Sequence, residues 1–299
     1  MWFFFALLTT FSWALADLFY KKGAVTDDQE SHIKTVIMVG LVMGIYGFGY
    51  MLIKGVAFNP VFLVTYFPIS FMYILSMAIG YCGLRYIELS ISSPIQNSSG
   101  AVTSILIFIF FAHTLSLLEV SAIVIITFGI VALAAVERNN SDEPLILSEN
   151  GKKYQQGFIA IIFPILYCVI DGLGTFADAV YLDELSLISE DQALLAYEFT
   201  FLICAVIAYI FLKAKKKQFH LLKETNRGAA AVFETAGQFF YVFAMARNAI
   251  IVAPLIASYS VFSVLLSRIF LKEKLSQQQY LIVAGVMTGI AMLALSQAM

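Results

Sequence analysis

The chain predicts an all-α membrane protein, ten transmembrane helices arranged as two inverted five-helix repeats. Three observations carry that reading. First, 61% of the 299 residues are hydrophobic and only 13% charged, with a mean hydropathy of +0.86. A soluble chain carries about 25% charged residues, so this much apolar surface needs lipid as its solvent. Second, ten apolar windows approach the length of about 20 residues that crosses the hydrocarbon. Third, the second part of the chain repeats the first.

The windows run 2–20, 34–53, 61–84, 89–111, 117–136, 156–181, 192–212, 228–246, 249–271 and 277–297. Helices satisfy their backbone groups internally, as lipid requires. The first window could be mistaken for a signal peptide ending at Ala14-Leu15-Ala16. No charged region precedes it, and the repeat needs it as a helix, so it reads as retained. The connections at 112–116 and 272–276 are short enough to predict antiparallel hairpins. Two longer stretches are polar. One, 137–156, contains Arg138, Asn139, Asn140, Asp142 and Glu143. It is the natural linker, which gives a first repeat over 1–137, a linker over 138–155 and a second repeat over 156–299. The other, 213–227, carries Lys215-Lys216-Lys217 and reads as a cytoplasmic anchor.

Shifting the chain on itself by 160 positions aligns 94–134 with 254–294 without a gap. It superposes Pro94 on Pro254, Leu115-Ser116 on Leu275-Ser276 and Gly129 on Gly289, and Tyr81 on Tyr241 upstream. Near offset 154, Trp13 and Asp17 correspond to Tyr167 and Asp171. Gly129 and Gly289 are expected to permit close helix packing. Five spans per repeat is an odd number, so the second repeat enters from the other side, an arrangement common in secondary transporters. Connections after odd-numbered spans hold nearly all Lys and Arg, whereas the opposite side holds only Lys54 and Arg247. The positive-inside rule then puts both termini outside a cell membrane.

Intramembrane acids are costly and so are functional candidates. Glu234 and Asp171 fall near the middle of the eighth and sixth spans. Asp17, Glu198 and Asp178 lie nearer span ends. Trp13 and Asp17 share a helix face at i, i+4, as do Tyr167 and Asp171. Glu234, Gln238 and Tyr241 form one polar stripe at i, i+4, i+7. Gln96 and Asn97 follow Pro94, and Tyr259 follows Pro254. These prolines free backbone carbonyls and mark candidate helix breaks or gates. Each residue has a structural alternative: a protonated acid bonded to a neighbouring helix, a snorkelling Asp17 or Glu198, an aromatic ring in packing or at the interface, a proline that only kinks. Acids with aromatic rings are the chemistry of an ammonium site. The expected substrate site is Trp13, Asp17, Tyr81, Gln96, Asn97, Tyr167, Asp171, Glu234, Gln238, Tyr241 and Tyr259. Asp171, Glu234 and Glu198 are proton-coupling candidates, since burial favours a protonated carboxyl.

Three segments resemble the EamA-type branch of the drug/metabolite transporter superfamily. Phe11-Ser12-Trp13-Ala14-Leu15-Ala16, followed by Lys21, is similar to that family's early Trp-Gly-Ser-Asn-like segment and lysine. Gly83-Leu84-Arg85-Tyr86-Ile87-Glu88-Leu89-Ser90-Ile91-Ser92-Ser93-Pro94 is similar to its Ala-Leu-(Arg/Lys)-Tyr-Thr-Ser-Ala motif. Phe270-Leu271-Lys272-Glu273-Lys274-Leu275-Ser276 is similar to its Phe-Leu-Gly-Glu-Arg-Leu-Ser motif. Lys272 replaces the glycine, and Phe111-Ala112-His113-Thr114 is a degraded first copy. The resemblance implies ten helices, a cavity lined by helices one, three, four, six, eight and nine, and alternating access. It fixes no substrate.

The expectation is a secondary carrier, proton-coupled or facilitative, for a cationic or zwitterionic amine. The alternatives are a carrier for a neutral solute such as a nucleoside, or a metabolite or drug exporter. An enzyme is not expected, because His32, His113 and His220 lie in different loops and no nucleotide-binding motif occurs. Cys82, Cys168 and Cys204 lack metal-ligand spacing. No metal, cofactor or nucleic-acid partner is implied. The partners are a small molecule and the lipid bilayer, and the sequence sets no oligomeric state, a monomer included.

Overall fold

The computed structural model describes residues 1–25, 28–140, 157–273 and 275–296, so most of the expected linker lies outside the described residues. Among these residues every regular element is a helix. In order they are α1 (Trp2–Gly23), α2 (Ser31–Lys54), α3 (Phe62–Thr65), α4 (Phe67–Gly83), α5 (Leu89–Asn97), α6 (Ser99–Phe110), α7 (Leu117–Asn140), α8 (Gly157–Ala179), α9 (Glu190–Ala214), α10 (Thr225–Ala257), α11 (Tyr259–Leu266) and α12 (Gln277–Ser296). α8 runs on through a π turn, Val180–Glu184, and α11 through another, Ser267–Leu271.

Among the described residues, seven helical stretches are long and apolar enough to cross a membrane. The shell is apolar and the interior carries the polar groups. Leu52, Leu117 and Leu281 are more than three-quarters exposed, whereas Asp17, Gln96, Asp178, Glu198 and Gln238 are buried. That inversion of the soluble pattern suits lipid outside and a polar path within. Together these features make the chain a multi-pass membrane protein.

The main packing joins elements from opposite ends of the sequence. α1 lies along α10, α2 along α9, α4 along α8 and α7 along α12, and α5 meets α11. Gly129 and Gly289 do serve close packing. A Cβ on Gly129 would sit 2.3 Å from Val286, and one on Gly289 would sit 2.8 Å from Ile126.

The windows differ from the structure at three places. The window 61–84 divides into α3 and the 17-residue α4. The windows 228–246 and 249–271 are one helical run from Thr225 to Leu271, bent where Asn248 leaves helical geometry (φ −169°, ψ 67°). No loop separates them, so the two windows that composition gave fall on one run with a bend inside it. The helix breaks also fall four residues beyond the prolines. Pro94 and Pro254 lie inside α5 and α10, and the helix restarts at Ser98 (φ −60°, ψ −11°) and Ser258 (φ −64°, ψ −7°). The two breaks are alike in detail: Ser98 N–H donates to Pro94 and Ile95 carbonyls, and Ser258 N–H to Pro254 and Leu255 carbonyls. Proline removes the donor for the carbonyl one turn earlier, and the Ser104 hydroxyl donates to that carbonyl, Ile250 O, at 3.4 Å.

Candidate functional site

Two adjoining chambers lie at the centre of the bundle, with Trp13, Tyr73, Tyr167 and Tyr259 lining both. α1 contributes Trp13, Asp17 and Tyr20, spaced i, i+4, i+7 so that all three share one face. α4 contributes Tyr73, Met77 and Tyr81; α5 contributes Gln96 to the first chamber and Asn97 to the second. α8 contributes Tyr167, Asp171 and Thr175; α10 contributes Glu234 and Tyr241.

Each carboxyl in the chambers is met by hydroxyl donors from other helices. Tyr73 Oη donates to Glu234 Oε1 at 2.6 Å and Tyr20 Oη to Oε2 at 3.1 Å. Ser93 Oγ and Ser263 Oγ both donate to Asp17 Oδ2, at 2.6 and 2.8 Å. That leaves Oδ1 without a hydroxyl partner, on a residue that lines the first chamber. Ser99 Oγ donates to Asp171 Oδ2 at 2.7 Å. Hydroxyl donors stabilise the ionised form of a carboxyl that water cannot reach.

The aromatic walls are continuous. The Trp13 ring centroid lies 5.2 Å from Tyr241, 5.8 Å from Tyr259 and 6.1 Å from Tyr73, and Tyr20 lies 4.5 Å from Tyr81. Trp13 Nε1 donates to the Glu234 carbonyl at 3.4 Å, tying α1 to α10. Neither Lys nor Arg lines either chamber. Buried acids, ring faces and no competing cation form a lining that attracts positive charge.

Most expected site residues meet here. Gln238 does not: it is buried outside both chambers, and neither of its amide atoms has a hydrogen-bond partner. Glu198 is also outside them and wholly buried rather than snorkelling. Asn97 Nδ2 donates to the Ser93 carbonyl at 2.8 Å and so helps hold α5 together. Asp178 is no boundary residue. It is buried two turns beyond Asp171 and accepts a hydrogen bond from Tyr66 Oη. Tyr20 could have been found from its spacing to Asp17. Ser93, Ser99 and Ser263 could not, because serines are common in this chain and their partners lie 72 to 246 positions away.

Beyond the chambers both ends are tied. At the lysine-rich end, Lys21 Nζ donates to the Leu84 and Ile87 carbonyls at 2.9 and 2.6 Å. Glu273 accepts from the first amides of α5, Leu89 N at 3.2 Å and Ser90 N at 3.0 Å. Burial, and then the charge of Glu273, push the Glu88 carboxyl above its usual range, with Lys21 pulling it back. At the other end Asp183 Oδ2 accepts from Ala249 N at 2.7 Å, and His113 Nε2 lies 2.7 Å from Glu184 Oε1.

A lipid-compatible helical shell around a polar, multi-helix cavity defines the class, a multi-pass membrane protein. The sequence comparison points to a particular family over part of the chain: residues 158–295 match the EamA-like transporter family. The match covers the second part of the chain. A solved structure titled "Crystal structure of protein" extends the likeness in fold to the whole. It superposes with a TM-score of 0.66 over 98% of this chain and 96% of its own, at 12% identity. No curated protein matches the chain in sequence.

Proposed function

We propose that the protein is a secondary carrier for a small cationic or zwitterionic amine, working by alternating access. The observation that carries this reading is the set of three hydroxyl-solvated carboxyls, Asp17, Asp171 and Glu234, in aromatic chambers lined by no basic side chain. An ammonium group there gains ion pairing and cation–π attraction together, the latter worth about 2 kcal/mol when desolvated.

The transport frame is ten spans in two inverted repeats. It is supported by the pairing of α1 with α10 and of α4 with α8, which a two-fold relation exchanges, and by the matching breaks at Ser98 and Ser258. In this frame α5–α6 and α10–α11 are the discontinuous helices whose rearrangement opens one side at a time. The lysine-rich end faces the cytoplasm of a cell.

The test is uptake into proteoliposomes of radiolabelled choline and putrescine, with uridine as the neutral comparator. Glu234→Gln and Asp171→Asn should each lower cation uptake by about tenfold or more, because each removes a charge that the desolvated cation needs. Uptake unchanged in both variants would sink the acidic site. Uptake of uridine without either amine would transfer the reading to a neutral-solute carrier.

A further inference from the structure

One buried acid breaks the pattern of the chambers. Glu198 lies in α9, eight residues past its start at Glu190, which is about 12 Å into the helix. Its side chain is fully buried and neither carboxyl oxygen has a hydrogen-bond partner. Asp17, Asp171 and Glu234, by contrast, each receive at least one hydroxyl.

The elements packed against α9 do not supply a countercharge. The titratable groups that face Glu198 electrostatically are Tyr46 of α2 and Glu234 of α10. On α4, Tyr73 packs against Tyr197 next door, and its hydroxyl is already committed to Glu234. None of these is a cation. Gly47 of α2 lies directly opposite: a Cβ there would be 3.0 Å from the Glu198 Cβ. In the same wall of α2, α9 and α10, Gln238 is buried one turn past Glu234, and both its amide atoms lack partners.

An ionised carboxylate taken from water without a partner costs far more than the group pays to take up a proton, so it neutralises instead. A second acid nearby strengthens that preference. We infer that Glu198 is a proton-binding site separate from the substrate chambers, and that a proton held there is the coupling ion. Glu234, met by two tyrosine hydroxyls, belongs to the cation site. Glu198 keeps a proton. Loading forms the carboxyl O–H bond with a proton from water on one side, and unloading returns that proton to water on the other, so no further reactant is needed. The protonation stands on burial alone, whereas the coupling role rests on the carrier reading.

Infrared pH titration of the full chain in liposomes reads the first part without any substrate. The C=O stretch of protonated carboxyls should contain, at neutral pH, one component that persists in the parent protein, in Glu234→Gln and in Asp171→Asn, and is missing from Glu198→Gln. Glu198→Asp should retain it at a shifted frequency, which serves if Glu198→Gln fails to fold. A spectrum unchanged in Glu198→Gln, or no protonated-carboxyl band in the parent, overturns the proposal. The second part uses choline in proteoliposomes. Glu198→Gln should lose accumulation driven by a pH gradient and retain choline–choline exchange. Driven accumulation that survives the loss of the band overturns the coupling role, and loss of driven uptake together with exchange overturns the separation of the two sites. Choline uptake absent from every protein, with the band behaving as expected, would instead count against the amine reading.

Discussion

The helix start at Leu89 and the restart at Ala249 lie 160 positions apart in the sequence and at opposite ends of the bundle, and they are secured unequally. A carboxylate caps each, which suits the positive end of a helix. Glu273 uses both oxygens, on Leu89 N and Ser90 N. Asp183 uses one, on Ala249 N. Only the lysine-rich end adds a half-buried ammonium: Lys21 pins two carbonyls of the segment leading into α5, whereas Arg247 turns outward to Glu190 at 3.1 Å, with most of its side chain in the open. The same capping device is doubled at one end and single at the other. This teaches that two helix starts built with the same capping device can be held at different strengths.

The largest test of that difference is Lys21→Met. It strands two carbonyls that now accept from a charged donor, and should cost about 3 kcal/mol. It should also loosen the lysine-rich end. Maleimide labelling of Cys82, one residue before the end of α4, in a Cys168→Ser, Cys204→Ser background would then speed up. An unchanged labelling rate would mean that Lys21 does not hold this end. Next come the two caps. Glu273→Gln should lower thermal stability by about 1 kcal/mol through loss of charge at the helix start, and Asp183→Asn by less. Equal losses, measured by thermal unfolding in detergent, would erase the asymmetry. The smallest effect is a gain. Lys272 has φ 60° and ψ 26°, a left-handed conformation that costs a side chain about 1–2 kcal/mol. Lys272→Gly should recover about 0.5 kcal/mol after the entropy of glycine is deducted. A loss instead would show that the lysine side chain has a role of its own.

That lysine also shows how legible the chain was. Glycine is what the similar motif places at this position, and the left-handed backbone explains why. The central acids and rings were readable too, because helical spacing put Trp13 with Asp17, and Glu234 with Tyr241, on single faces. Depth was read less well. Asp178 looked like a boundary residue because the window ended at 181, yet the π turn carries α8 to Glu184 and leaves Asp178 inside. Glu198 looked able to reach the interface, but its surroundings come from α2 and α10, and no local pattern reports a neighbour that far along the chain. The hydroxyl donors were invisible for the same reason.

The bend at Asn248 has a consequence for how the protein is made. The two limbs of α10 join with no intervening polar loop, and with α11 and its π turn they span the 47 residues Thr225–Leu271. With no polar segment between them, the two limbs are expected to enter a bilayer together rather than one after the other. A peptide tag placed after Asn248 should therefore block biogenesis, whereas the same tag in the 55–60 connection would leave it intact.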